Sequence, residues 1–300
     1  VASGVAALAA LPGEALALAA ALVSSVGYVS ARRGLDDVSP EALVTATTAV
    51  SVLILSPLVV LLDQPLLSST AAGVFFVSGV LGSGLGRFML SHAIGLVGAG
   101  VAHAVKSASP MVAAAFSVIF LGESLSPLLA VGIVVVVVGL VILTRADAAD
   151  GERHAGLSTT AVIALVLVLW FGVTPVIRKY GLSVLDAPVL PALAMNFAAG
   201  LLVGLVIALA RDPGQLRTFT RPGPRRFLAL TGVCWTAAIT MYFAALAVAD
   251  AVVVVPIFNA SPLFTVTLGI LLLDEAQGAR RRTVTGAVVT VVGVVLVTLG

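Results

Sequence analysis

The stretch ASPMVAAAFSVIFLGE, residues 108–123, returns as ASPLFTVTLGILLLDE at residues 260–275. Each copy opens on Ala-Ser-Pro, runs on through apolar residues and closes on Leu, one variable residue and Glu. The echo continues beyond the Glu: Gly132-Ile133-Val134-Val135-Val136-Val137-Val138-Gly139 is answered by Gly286-Ala287-Val288-Val289-Thr290-Val291-Val292-Gly293. Val-rich runs match easily by chance, so the weight rests on the Ser-Pro, Glu and paired Gly positions, which keep their order in both copies. The chain is a duplicated sequence, and internal repeats of this kind are common in secondary transporters.

Composition says where such a duplication lives. Hydrophobic residues make up 60% of the 300 and charged residues only 10%, with a mean hydropathy of +1.19. Soluble domains carry about 25% charged residues. The apolar runs are long enough for a hydrocarbon core of about 30 Å, which takes about 20 helical residues. They are continuous and do not alternate, which argues for helices and against an outer-membrane barrel. The segment before Glu14 has no basic region and is not read as a cleaved signal peptide. The one cysteine, Cys234, excludes an internal disulfide or a cysteine metal site.

Runs bounded by Pro, Gly and charge predict ten helices, over roughly 14–31, 41–62, 72–95, 99–121, 126–144, 158–179, 187–210, 226–248, 251–273 and 282–299. The polar connector at mid-chain divides them five and five. The expected organisation is a first repeat at 1–148, a connecting loop at 149–157 and a second repeat at 158–300. Five is odd, so the second repeat runs inverted: an all-α polytopic membrane protein of two inverted five-helix repeats, with a central site at the repeat interface.

Counting Lys and Arg orients it. With the N-terminus outside, the cytoplasmic loops hold Arg32, Arg33, Arg145, Arg153, Arg211, Arg217, Arg221, Arg225, Arg226, Arg280, Arg281 and Arg282, and the opposite loops hold only Arg178 and Lys179. The positive-inside rule therefore places both termini outside.

Two fused five-helix halves, with a Pro-bearing fourth helix ending in Leu-x-Glu and a fifth carrying Gly-x6-Gly, resemble the drug/metabolite transporter superfamily, in its EamA-type branch. The resemblance covers the whole chain. It implies a plasma-membrane carrier of small organic solutes, often an exporter of amino acids or related metabolites, and leaves open a homodimer through the last helix of each repeat. Asp274 departs from the Gly usual before the Glu, and outside termini depart from the cytoplasmic ones usual for such permeases.

Ionisable groups inside predicted helices are few, and Arg87, His92, His103 and Lys106 all lie on the hairpin of the third and fourth. His103, Lys106 and Pro110 form one stripe, with Ser109 beside it. A charge at the centre of a membrane helix costs ~2.5 kcal/mol or more and usually pairs or faces a cavity. No Asp or Glu is placed at the depth of Arg87 or Lys106, so both are expected to meet an anionic group of a solute. Their stems are also long enough to snorkel to the near interface, so two readings stand. His92 and His103 are candidates for proton coupling.

Pro110, Pro256 and Pro262 are expected to kink the helices and open a cavity, lined further by Ser109, Asn259, Trp170 and Tyr242. Glu123 and Glu275 are expected to cap the fifth and tenth helices. Nothing resembles a nucleotide loop or a metal cluster, and no cofactor or nucleic-acid partner is implied. The partners expected are a small solute and the lipid bilayer. The reading is alternating-access transport of anionic or zwitterionic metabolites. Two alternatives remain open: a membrane-embedded enzyme acting on a lipid-linked substrate, and a proton-coupled drug exporter.

Overall fold

The computed structural model describes residues 11–34, 38–97, 102, 105–147, 157–211, 214, 222–273 and 280–300. Among them every regular element is helical: α1 (Gly13–Gly34), α2 (Pro40–Leu61), α3 (Ser69–Ser78), a π-helical stretch Gly79–Gly86, α4 (Arg87–Val97), α5 (Ser109–Leu121), α6 (Pro127–Asp147), α7 (Leu157–Ser183), α8 (Val189–Arg211), α9 (Pro222–Val248), α10 (Ala251–Asn259), α11 (Ser261–Leu273) and α12 (Arg280–Leu299). Seven helical stretches are long and apolar enough to cross a membrane, and three shorter apolar helices, in α5, α6 and α12, bring the spans to ten. The third span is α3, the π stretch and α4 in succession, and the ninth is α10 and α11.

Two compact units emerge, and each draws on both halves of the sequence. One consists of residues 1–88 with 177–248, the other of residues 89–176 with 249–300. In the first unit α1 packs on α9, α2 on both α8 and α9, and the π stretch on α8. Small residues permit these approaches: a Cβ on Gly232 would lie 2.6 Å from Val50, and one on Gly181 2.5 Å from the Phe75 ring. In the second unit α6 packs on α12 and α5 on α10.

The contacts carry the duplication. Exchanging each span with its equivalent five spans away maps α1 on α9 onto α7 on α3, the contact of Gly181 with Phe75, and maps α2 on α9 onto α8 on the π stretch. At residue level, Gly139 abuts Thr290 while Gly293 abuts Val136, and these are the same two positions of the repeat with their partners exchanged. Such reciprocity is the signature of a two-fold relation. With an odd number of spans per repeat, that relation inverts one half against the other.

Both Ser-Pro motifs break their helices in the same way. Ahead of α5, the Ala108 N–H donates to Val105 O at 3.0 Å and the Met111 N–H to Ala108 O at 3.1 Å. Ahead of α11, Ala260 donates to Ile257 O at 3.1 Å and Leu263 to Ala260 O at 2.9 Å. Proline supplies no N–H for an i−4 bond, so the chain tightens into i−3 bonds on either side of it. Pro256 lies within continuous α10.

Two expectations are corrected. Arg178 and Lys179 are not in a loop: α7 continues to Ser183 and both are buried within it, at 9% and 8% exposure. Asp186 and Pro188, not the basic pair, mark the end of that span. Glu123 does not cap the helix that follows it. Gly122 takes the left-handed conformation, φ 68°, at the end of α5, and the turn sends Glu123 to the start of α10. There its Oε1 accepts from the Ala251 N–H at 2.8 Å and its Oε2 from the Val252 N–H at 2.9 Å. The orphan donors and positive dipole end of α10 select a carboxylate. Glu275, Asp274 and most of the 149–157 connector lie outside the described residues.

Candidate functional site

In the first unit the π stretch sets the geometry. Ser78 and Ser83 are five residues apart, a spacing that a regular α-helix turns to different faces. An i→i+5 ladder brings them into register. Both then reach Asn196 on α8: the Asn196 Nδ2 donates to Ser78 Oγ at 2.7 Å, and Ser83 Oγ donates to Asn196 Oδ1 at 2.7 Å. Gly79 and Gly84 let the two helices close, since a Cβ at Gly79 would collide with the Asn196 carbonyl and one at Gly84 would lie 2.7 Å from Val203. The result is a buried polar strip within an apolar bundle.

Two cations border that architecture. Arg87, half-buried at the end of the π stretch, donates from Nη1 to Thr47 Oγ1 at 3.3 Å, and its Cζ stands 4.8 Å above the Trp235 ring. Trp235 is in turn met edge-on by Tyr28, with ring centroids 5.7 Å apart. Arg178 donates from Nε to Ser78 Oγ at 3.0 Å and lies 5.3 Å from the Phe243 ring. Neither arginine has a carboxylate partner among the described residues. Tyr242, 2% exposed, lies within electrostatic reach of Arg178.

In the second unit Lys106 Nζ sits 4.9 Å above the ring of Phe171, the neighbour of Trp170 on α7. The α5 helix that follows it is pressed against α7 at Gly172, where a Cβ would lie 2.6 Å from Val112. Ser109 is buried and its Oγ has no hydrogen-bond partner among the described residues, as is true of Ser117 two turns on. Asn259 turns its Nδ2 back to Val255 O at 2.9 Å. His92 is exposed, and His103 lies outside the described residues.

Of the residues singled out in the sequence, Arg87 and Tyr242 thus belong to the first unit, and Lys106, Ser109, Trp170 and Asn259 to the second. Sequence reading passed over Trp235, Thr47, Ser78 and Ser83, and it placed Arg178 in a loop. Trp235 and Ser78 carry no local signal, because only tertiary packing places them. Arg178 did carry one: it stands five residues before the end of an otherwise apolar span.

A duplicated polytopic protein, all-helical among the described residues, with two Ser-Pro breaks and cations set on aromatic rings, has an architecture suited to a membrane carrier. The chain belongs to the EamA-like transporter family, whose model matches residues 11–145 and again 158–299, and so to the drug/metabolite transporter type. A solved structure titled only "Crystal structure of protein" shares the fold, with a TM-score of 0.80 at 16% identity over 96% of this chain and 98% of that one. No curated protein matches the chain.

Proposed function

We propose that this transporter moves small organic solutes bearing a carboxylate or another anionic group, amino acids and related metabolites included. It works by alternating access in the plasma membrane, driven by a solute or proton gradient, and as a carrier instead of an enzyme. The observation that carries the reading is Arg87. A half-buried guanidinium held on an indole face by one long bond to Thr47 keeps donors for a ligand, and cation–π contact of ~0.5–2 kcal/mol holds the cation without neutralising it. Tyr28 and Trp235 offer ring faces to the remainder of the solute. Lys106, on its Phe171 ring, is a second cation assigned to solute contact, with Ser109, Trp170, Tyr242 and Asn259 as further lining.

Both termini are assigned to the outside. With Arg178 and Lys179 withdrawn into α7, the loops on that side keep Asp63, Asp186 and Asp250 and no Lys or Arg, which sharpens the positive-inside asymmetry.

The chain has two tryptophans, so a Trp170→Phe background leaves Trp235 as the single indole reporter, directly beneath Arg87. Titration with amino acids, organic acids, sugar phosphates and cationic drugs should change its fluorescence only with carboxylate- or phosphate-bearing members. Arg87→Gln should abolish that response and lower uptake into proteoliposomes at least about tenfold, as loss of a hydrogen bond to a charged group predicts. Lys106→Ala is tested by uptake alone. A response to cations only, or undiminished uptake in the Arg87 variant, rejects the assignment.

A further inference from the structure

Two buried cations sit side by side on α7, and their surroundings differ in kind. Lys179 Nζ donates to Leu246 O at 3.0 Å. That carbonyl belongs to the last turn of α9, where carbonyls lack intrahelical donors and the helix dipole is negative. Lysine there completes a helix end. Arg178 completes nothing of the sort: its Nε is spent on Ser78, its face on Phe243, and its terminal Nη groups have no acceptor among the described residues.

The orientation of this guanidinium is nevertheless fixed. Ser78 Oγ accepts from Arg178 Nε and from Asn196 Nδ2, and Asn196 is itself held through Oδ1 by Ser83. Every link in that relay is buried. The π stretch, which costs helix regularity, is what makes the relay possible. A buried charge without a counter-ion is penalised by several kcal/mol, so a network that orients the cation while leaving its Nη edge unmet is arranged for an incoming partner of opposite sign.

The geometry points to a buried anion site at Arg178 that takes one small monovalent anion, chloride or a carboxylate group, on the Nη edge of the guanidinium. With only 9% of the residue exposed, a small anionic group suits the edge, and a guanidinium edge matches a carboxylate in two-point fashion. Tyr242, within electrostatic reach of Arg178, is shared with the lining assigned above, but among the described residues Ser78 and Phe243 on one side and Thr47 and Trp235 on the other keep the two arginines apart, so separate arginine variants test the two sites.

The experiment is thermal unfolding of the purified full chain, equilibrated in methanesulfonate and titrated with chloride or with formate at constant ionic strength. Binding to the native state raises Tm saturably. The wild type is expected to respond to at least one of the two, and Arg178→Gln to neither, while Arg87→Gln keeps the wild-type response. In methanesulfonate alone, Arg178→Gln should be no less stable than the wild type, because the unmet charge is gone. Ser78→Ala keeps the cation but loosens its orientation, and should weaken half-saturation about tenfold. A chloride response identifies a free inorganic anion as ligand; a response to formate alone identifies the carboxylate of a solute. A wild type flat to both anions overturns the site, and so does an Arg178→Gln protein that responds like the wild type. If that variant does not fold, the wild-type and Ser78→Ala titrations decide.

Discussion

Glu123 shows how one side chain can be misread from its neighbours in sequence. The Leu-Gly-Glu motif looks like the end of one helix and the start of the next. In the fold Gly122 turns the chain in the left-handed region, where a Cβ costs ~1–2 kcal/mol, and the carboxylate that follows crosses to α10, its helix's counterpart in the other repeat. Two charge-assisted bonds to a buried helix start predict that Glu123→Ala lowers stability by ~2–4 kcal/mol, while Glu123→Gln, which retains one acceptor, loses about half as much. Thermal unfolding of the two variants side by side measures this: equal losses would show that the single acceptor kept by Gln contributes nothing, and a Glu123→Gln protein as stable as the wild type would show the same of the charge and the second oxygen.

At the level of elements, the third span earns its polar function from its irregularity. The five residues of Gly79–Gly86 other than Val and Leu are all Gly or Ser, poor helix formers that tolerate the π ladder and the close approach of α8. Gly79→Val must drive a side chain into the Asn196 backbone, whereas Gly73, ten or so ångströms earlier on the same span at 1.5 Å per residue, has nothing within 4 Å of its Cβ position. Gly79→Val is therefore expected to lose the folded monodisperse peak in size-exclusion chromatography, and Gly73→Val to keep it. Loss of both would assign the effect to helix propensity and not to the contact.

At the level of the whole molecule, the ten spans of a duplicated chain leave orientation to the distribution of arginines. Outside termini predict that a reporter enzyme active only beyond the cytoplasm, fused after Gly300, is active, and that a fluorescent protein that matures only in the cytoplasm stays dark there. Fusions within the Arg-rich segment following α8 should give the opposite pair of results. The reverse pattern would mean that the arginines report something other than topology.

Membrane location, helix type, the count of ten spans and the duplication were all present in the chain itself, because hydropathy and span length are constraints imposed locally by the bilayer. The Ser-Pro breaks were also legible, since a missing N–H acts on its own turn. Tertiary structure alone decided which helices meet, and with them the partners of every polar side chain. The units mix the two halves, so that Asn196 in the second repeat finds Ser78 and Ser83 in the first, and Trp235 comes to lie beneath Arg87. It also decided that Arg178 and Lys179 are interior, because the extent of a span beyond its last apolar residue depends on whether neighbouring helices offer a carbonyl, a hydroxyl and a ring to receive the charge.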